Sequence, residues 1–147
     1  MGKIIAVCWS EKKGTVKEPI AEGIIQKDFG LVGDAHADCN AKRQVSLMSL
    51  ESINRMRSQG YPVVPGSFAE NLTTEGIDIV SLPIDTELCV GQDVVLKVTQ
   101  IGKECHTGCA IFQQVGKCIM PKEGVFTKVI RGGRVKSGDE IKVKKDK

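Results

Sequence analysis

Hydrophobic and polar positions alternate most clearly between Asp93 and Ile101. Val94, Leu96 and Val98 fall on one side, and Val95, Lys97 and Thr99 on the other. A period of two is the pattern of a β-strand with one buried face. Strand-like segments also occur at Lys3–Trp9, Glu22–Asp28, Gln44–Met48, Asn71–Thr74, Glu87–Val90, Val125–Ile130 and Glu140–Val143, with a further irregular extended piece at Gly76–Leu82. Gly91-Gln92 separates two of these runs and suits a tight hairpin. The pattern changes after Ser49, where Leu50, Ile53, Met56 and Arg57 repeat at helical spacing. Ser49 is placed to cap that helix and Gly60 to stop it. This predicts the longest helix near Leu50 to Ser58, and a second, shorter one is expected at Cys109–Val115. Gly30 to Arg43 is polar and contains glycine, and Tyr61 to Ser67 holds two prolines and a glycine, so both read as loops. Many short strands, few helices and long irregular connections predict a mainly-β fold, a closed or nearly closed barrel. The strands do not alternate regularly with helices, which argues against a doubly wound sheet.

Length and composition narrow the class. The chain has 147 residues, which fits one domain over residues 1–147 with a core of useful size. Hydrophobic residues at 41% and charged residues at 27% fit a folded chain rather than a disordered one. A net charge of +3 makes no case for nucleic acid on its own, and 4% aromatics argue against a base-stacking platform. No apolar run is long enough to cross a bilayer. The chain enters a strand pattern directly at Met1-Gly2-Lys3-Ile4-Ile5-Ala6-Val7-Cys8, without the regions of a signal peptide, so a cytoplasmic location is expected. In that setting the six cysteines, at 8, 39, 89, 105, 109 and 118, read as mostly reduced thiols. Cys8 and Cys89 lie in apolar strand patterns and are expected to be small buried hydrophobes.

Three constellations carry candidate chemistry. In the first, Gly30-Leu31-Val32-Gly33-Asp34-Ala35-His36 precedes Arg43-Gln44-Val45-Ser46-Leu47. Turns rich in exposed N–H groups bind anions, and His36 and Arg43 are suited to a phosphate or oxyanion. The structural alternative has Asp34 capping backbone N–H groups and Arg43 on the surface. In the second, Pro65 to Gly76, Asn71, Thr73 and Thr74 are candidates to hydrogen-bond a polar ligand, and Glu70 is a candidate general acid or base. Its structural alternative is a turn and strand edge with Phe68 in the core. The third is Cys105-His106-Thr107-Gly108-Cys109 with Cys118 downstream. Cys105 is the candidate reactive thiol, because the cations Lys103, Lys128, Arg131 and Arg134 would favour its thiolate if the fold gathers them. The same four residues, Cys105, His106, Cys109 and Cys118, are a possible zinc set, although adjacent Cys-His ligands are strained.

In order and wording, these pieces resemble the MOSC domain family, named for the C-terminal part of molybdenum cofactor sulfurase. The matching pieces are Gly33-Asp34-x-His36, Arg43-Gln44-Val45-Ser46-Leu47, Gly66-x-Phe68-x-Glu70-Asn71-Leu72, Cys105 shortly after Gln100, and Phe126-x-x-Val129-x-Arg131-Gly132-Gly133 with Gly138-Asp139. The resemblance is to short stand-alone bacterial members and spans roughly Gly30 to Val143. It implies a β-barrel with a positively charged pocket that handles the molybdenum cofactor (molybdopterin), a pterin dithiolene bearing a phosphate. On that reading His36, Arg43, Asn71, Thr73, Lys128 and Arg131 contact the cofactor. Cys105 carries sulfur as a persulfide or ligates molybdenum. The implied partners are a cysteine desulfurase or other sulfur donor and a molybdoenzyme acceptor, with no nucleic acid and no membrane. The chain carries no pyridoxal-phosphate site of its own. Position 35 is Ala where many relatives carry a basic or bulky residue, and Cys109 is an additional thiol near Cys105. Whether the domain is a sulfurtransferase stays open. The alternatives are a module that stores or delivers the cofactor without chemistry, or a small zinc-bound structural protein.

Overall fold

Strand β8 (Val94–Ile101) shows how the alternation builds the wall: Val94, Leu96 and Val98 are buried, and the residues between them are half-buried. The computed structural model describes residues 2–10, 17–34, 44–68, 70–102 and 124–144. Within them the other strands are β1 (Gly2–Trp9), β2 (Glu18–Ile20), β3 (Glu22–Gln26), β4 (Gly30–Leu31), β5 (Val45–Ser49), β6 (Leu72–Glu75), β7 (Glu87–Val90), β9 (Val125–Arg131), β10 (Gly133–Lys136) and β11 (Glu140–Val143), with one helix, α1 (Leu50–Ser58). Seven strands close in a ring in the order β1-β11-β7-β8-β9-β5-β6 and back to β1. The expected barrel is therefore present and fully closed. Closure falls on β1. One edge pairs with β6, and the other pairs with β11 at Gly2 and Lys3 and with β2 from Val7 to Trp9.

Every pair in the ring is antiparallel except β5 and β6, which run parallel with Leu47 opposite Leu72 and Ser49 opposite Thr74. A parallel pair needs a crossover connection, and α1 supplies it. Ser49 caps the helix: its Oγ accepts the Ser52 N–H at 3.1 Å. The helix presents Ile53 and Met56 to the outer wall, where they meet Met48, Val63, Phe68 and Phe126 in a second core. The wall strands are thus apolar on both faces here. Leu47 and Val125 point into the barrel while Met48 and Phe126 point out to α1. A small sheet, β10-β3-β4, lays Ile25, Leu31 and Val135 against the barrel core.

Several segments differ from the sequence reading. The strand expected over Glu22–Asp28 stops at Gln26, because Asp28 turns the chain with φ 55° and Phe29 N–H bonds back to the Gln26 carbonyl. Strands β2, β4 and β10 are too short to show a period. Cys89 is half-buried rather than a core residue, because Leu88 and Val90 take the inward positions of β7. The helix expected at Cys109–Val115 lies outside the described residues. Among the described residues no helix is long and apolar enough to cross a membrane.

Leu47 is fully buried between a parallel and an antiparallel neighbour. Leu47→Ala is expected to cost about 2–5 kcal/mol, the usual range for a core truncation of this size. Urea unfolding followed by the fluorescence of Trp9, the only tryptophan, measures it.

Candidate functional site

The first two constellations meet at one end of the barrel, where β1 ends and β5 and β6 begin. Asp34 is the centre of this junction. Its Oδ1 accepts the Ser10 N–H at 3.0 Å and a Lys17 Nζ hydrogen at 2.6 Å, and neither side chain of the pair is exposed to solvent. Lys17 Nζ also reaches Ser10 Oγ at 3.2 Å, and the Lys17 N–H donates to the Gly66 carbonyl at 2.8 Å. Gly66 has φ +93°, and a Cβ there would stand 2.2 Å from the Lys17 carbonyl oxygen, so only glycine fits. Gly33, at φ +92°, lies against the Trp9 ring in the same way, with 3.0 Å left for a Cβ. The capping role offered as the structural alternative for Asp34 is present. Its ion pair with Lys17 had no signal in the sequence, because 17 residues separate the two.

Glu70 is fully buried and organises the turn before β6. Its oxygens accept the Gly66 N–H at 2.9 Å, the Phe68 N–H at 3.3 Å and the Thr73 hydroxyl at 2.7 Å. Burial pushes its carboxyl above the ordinary carboxylate value, against the pull of those hydrogen bonds. Asn71 bridges three strands: Oδ1 accepts the Ser46 N–H at 3.0 Å, and Nδ2 donates to the Cys8 carbonyl at 3.2 Å. Gln44 Oε1 accepts the Val129 N–H at 2.9 Å. Asn71 and Thr73, both expected at the cofactor, are therefore buried and hydrogen-bonded within the protein. Cys8 sits in the same knot. Burial first, then the charge of Glu70, push its thiol up to about 12, with Lys17 acting in the opposite direction. It is not a nucleophile at neutral pH.

The expected cations lie outside this knot. Lys128 and Arg131 both project from β9. Lys128 Nζ is 3.5 Å from Asp28, and Arg131 is 3.9 Å from Asp93, and all four side chains are substantially exposed. Exposed pairs of this kind contribute about 0–1 kcal/mol. Arg131 also lines an open groove of about 500 Å³ with Lys27, Lys144, Asp93, Gly132 and the half-buried Cys89. His36, Arg43 and Cys105 lie outside the described residues, as do the zinc candidates His106, Cys109 and Cys118. Cys105 lies in sequence between Gly102 and Gly124, and the Gly102 N–H donates to the Gly124 carbonyl at 2.7 Å. Among the described residues no three His, Cys, Asp or Glu side chains are grouped to hold a metal ion.

The MOSC domain model matches residues 32–142. Solved structures share the fold at low identity. The YUAD protein from Bacillus subtilis has a TM-score of 0.81 at 20% identity, covering 97% of this chain and 94% of that one. YiiM from Geobacillus stearothermophilus has a TM-score of 0.72 at 16% identity, covering 99% of this chain and 76% of that one. YiiM from Escherichia coli has a TM-score of 0.70 at 19% identity, with 99% and 71% covered. No curated protein matches the chain.

Two outcomes follow from the buried knot. In native protein at neutral pH, Cys89 is expected to alkylate while Cys8 stays unlabelled until the protein unfolds, and peptide mapping after iodoacetamide reads this directly. Glu70 gives a pH dependence of definite sign. Its folded pKa lies above the ordinary 4.5, so the folded state holds the proton more tightly than the unfolded state. The stability this contributes is complete below 4.5 and is lost as pH rises through the folded value. Glu70→Gln has no such proton. The urea midpoint of the wild type relative to this variant should fall as pH is raised from 4.5 to neutrality.

Proposed function

This chain belongs to the MOSC domain family, and we propose that it binds the molybdenum cofactor by its phosphate near Lys128 and Arg131 and carries sulfur on Cys105, or ligates molybdenum there. The observation that carries the anion site is the state of the two cations on β9. Both are exposed, and among the described residues each is paired at the surface, Lys128 with Asp28 at 3.5 Å and Arg131 with Asp93 at 3.9 Å. That donor set fits a phosphate group. Asn71 and Thr73 do not fit as direct contacts, because Thr73 is committed to Glu70, and Asn71 to Ser46 and the Cys8 carbonyl. Asn71 holds the entry to β6 against β1 and β5, and Thr73 fixes the Glu70 turn. His36 and Arg43 complete the proposed phosphate set by resemblance to the family.

Bound there, the cofactor supplies a metal centre held by dithiolene sulfur. The chain's own contribution is charge and a thiol. Lys128 and Arg131 offset the phosphate charge, Arg131 through its guanidinium fork. Sulfur loading is a thiol–persulfide exchange. The Cys105 thiolate attacks the terminal sulfur of a donor persulfide on a cysteine desulfurase, a new S–S bond forms on Cys105, the donor's S–S bond breaks, and the donor cysteine leaves as thiolate. Neither described thiol competes for this role: Cys8 is buried and protonated, and Cys89 lies on the outer wall. A molybdoenzyme is the proposed acceptor.

Mass spectrometry of protein produced with an active cofactor pathway and a cysteine desulfurase tests the reading. The expected result is bound pterin together with one added sulfur on Cys105, absent from Cys105→Ser. Arg131→Ala should lower pterin retention about tenfold, with the loss growing as salt is raised, since exposed charge attraction is screened. Pterin retained without added sulfur selects a storage or delivery module. Stoichiometric zinc without pterin selects the structural zinc reading.

A further inference from the structure

The turn after β3 sets a further cation beside Arg131. Strand β3 ends at Gln26, Asp28 turns the chain, and Lys27 stands between them with an exposed side chain. Two backbone contacts press this turn onto β9. The Asp28 N–H donates to the Val129 carbonyl at 3.1 Å. At Gly132 the chain passes so close that a Cβ would stand 2.5 Å from the Ile25 carbonyl oxygen and 3.1 Å from the Lys27 backbone nitrogen. The backbone of Lys27 is thus fixed against the end of β9 that carries Arg131. Both side chains line the open groove of about 500 Å³.

One sign of charge dominates that groove. Lys27, Arg131 and Lys144 line it together with a single carboxylate, Asp93. Arg131 lies 3.9 Å from Asp93, and Lys144 lies 3.3 Å from Glu87. Lys27 differs from both, since among the described residues no carboxylate stands within 4.0 Å of its ammonium. An unpaired ammonium and a guanidinium over one groove suit a group with several oxygens and more than one negative charge, which accepts from both at once. We propose that Lys27 is the residue that makes the anion site selective for phosphate: the phosphate seats between Lys27 and Arg131 in this groove, and Asp93 competes with it for Arg131. A monocarboxylate leaves one of the two cations unmatched. Lys128 does not line the groove and acts on the anion only as a neighbouring charge. This assignment rests on the phosphate reading above and names its seat.

Titration of isotope-labelled protein with inorganic phosphate at constant ionic strength, with acetate as the comparison, tests it by amide chemical shifts. Saturable shifts are expected at Lys27, Arg131 and Gly132 with phosphate and not with acetate. Lys27→Ala should weaken phosphate binding about fivefold, the loss of one charge-assisted contact in a solvent-exposed setting. Lys27 is exposed and unpaired, so this variant keeps the fold. Lys97→Ala removes the same charge from β8, where Lys97 pairs with Asp85 outside the groove lining, and should leave binding unchanged. Asp93→Asn should strengthen binding about threefold by freeing Arg131. Cys89 lines the same groove, and bound phosphate should slow its alkylation by iodoacetamide. The assignment of Lys27 is overturned if phosphate neither shifts these amides nor slows Cys89, if acetate acts as phosphate does, if Lys27→Ala and Lys97→Ala bind alike, or if Asp93→Asn does not strengthen binding. The cofactor reading fails separately. Phosphate binding that depends on Lys27 in a protein that retains no pterin upholds this seat and removes the cofactor. Pterin retained equally by the wild type and Lys27→Ala removes this seat and leaves the cofactor reading in place.

Discussion

Everything in this fold depends on both edges of β1 being occupied. An open sheet leaves rows of unpaired N–H and C=O groups at its two ends, and only a closed ring removes them entirely. Here β6 takes one edge of β1, while β11 and β2 divide the other between them. The interior is then filled by valine, leucine and isoleucine. At one end of the barrel, polar side chains are drawn inside and bonded to each other.

The buried end shows what a polar interior can and cannot do. Removing Lys17 and Asp34 from water costs each of them several kcal/mol, and their attraction roughly returns that cost. Such a pair is a weak source of net stability. Its effect is geometric. One carboxylate oxygen ties the end of β1, the start of β2 and the turn after β4 to a single point, and the Lys17 backbone adds the Gly66 turn. Glu70 does the same for the turn that feeds β6. Irregular segments that share few backbone hydrogen bonds with a sheet are held here by side chains instead. The motifs that look like ligand contacts in the sequence are in large part the fasteners of these turns.

The sequence showed the barrel and its helix clearly, because β8 and α1 each carry a strong period and α1 is flanked by its own cap and stop. The two- to four-residue strands of the small sheet were not legible, since so few residues show no period. A closed barrel was expected, but the pair of strands that closes it was not legible, because it joins the two ends of the described chain. In the site, the identity of the motif residues was readable but their direction was not. Asn71 just precedes β6, which carries Thr73 and Thr74, and only the contacts with β1, β5 and the Glu70 turn show which side chains are committed. Lys17 was invisible in a stretch with no pattern. Lys128 and Arg131 were legible as cations, and the structure adds that both are exposed on one strand.

The pairing of Gly2 and Lys3 with Ile141 and Glu140 has a consequence in time. The first strand of the barrel has no partner on part of one edge until the last strand has been made. Local pieces such as the β7–β8 hairpin can form early at small entropic cost, but joining the two ends requires a loop nearly as long as the chain. The ring therefore seals late, and until it does the apolar edge of β1 is open to strands of other molecules. The growing chain is most vulnerable to misassembly at the strand that makes the finished barrel secure.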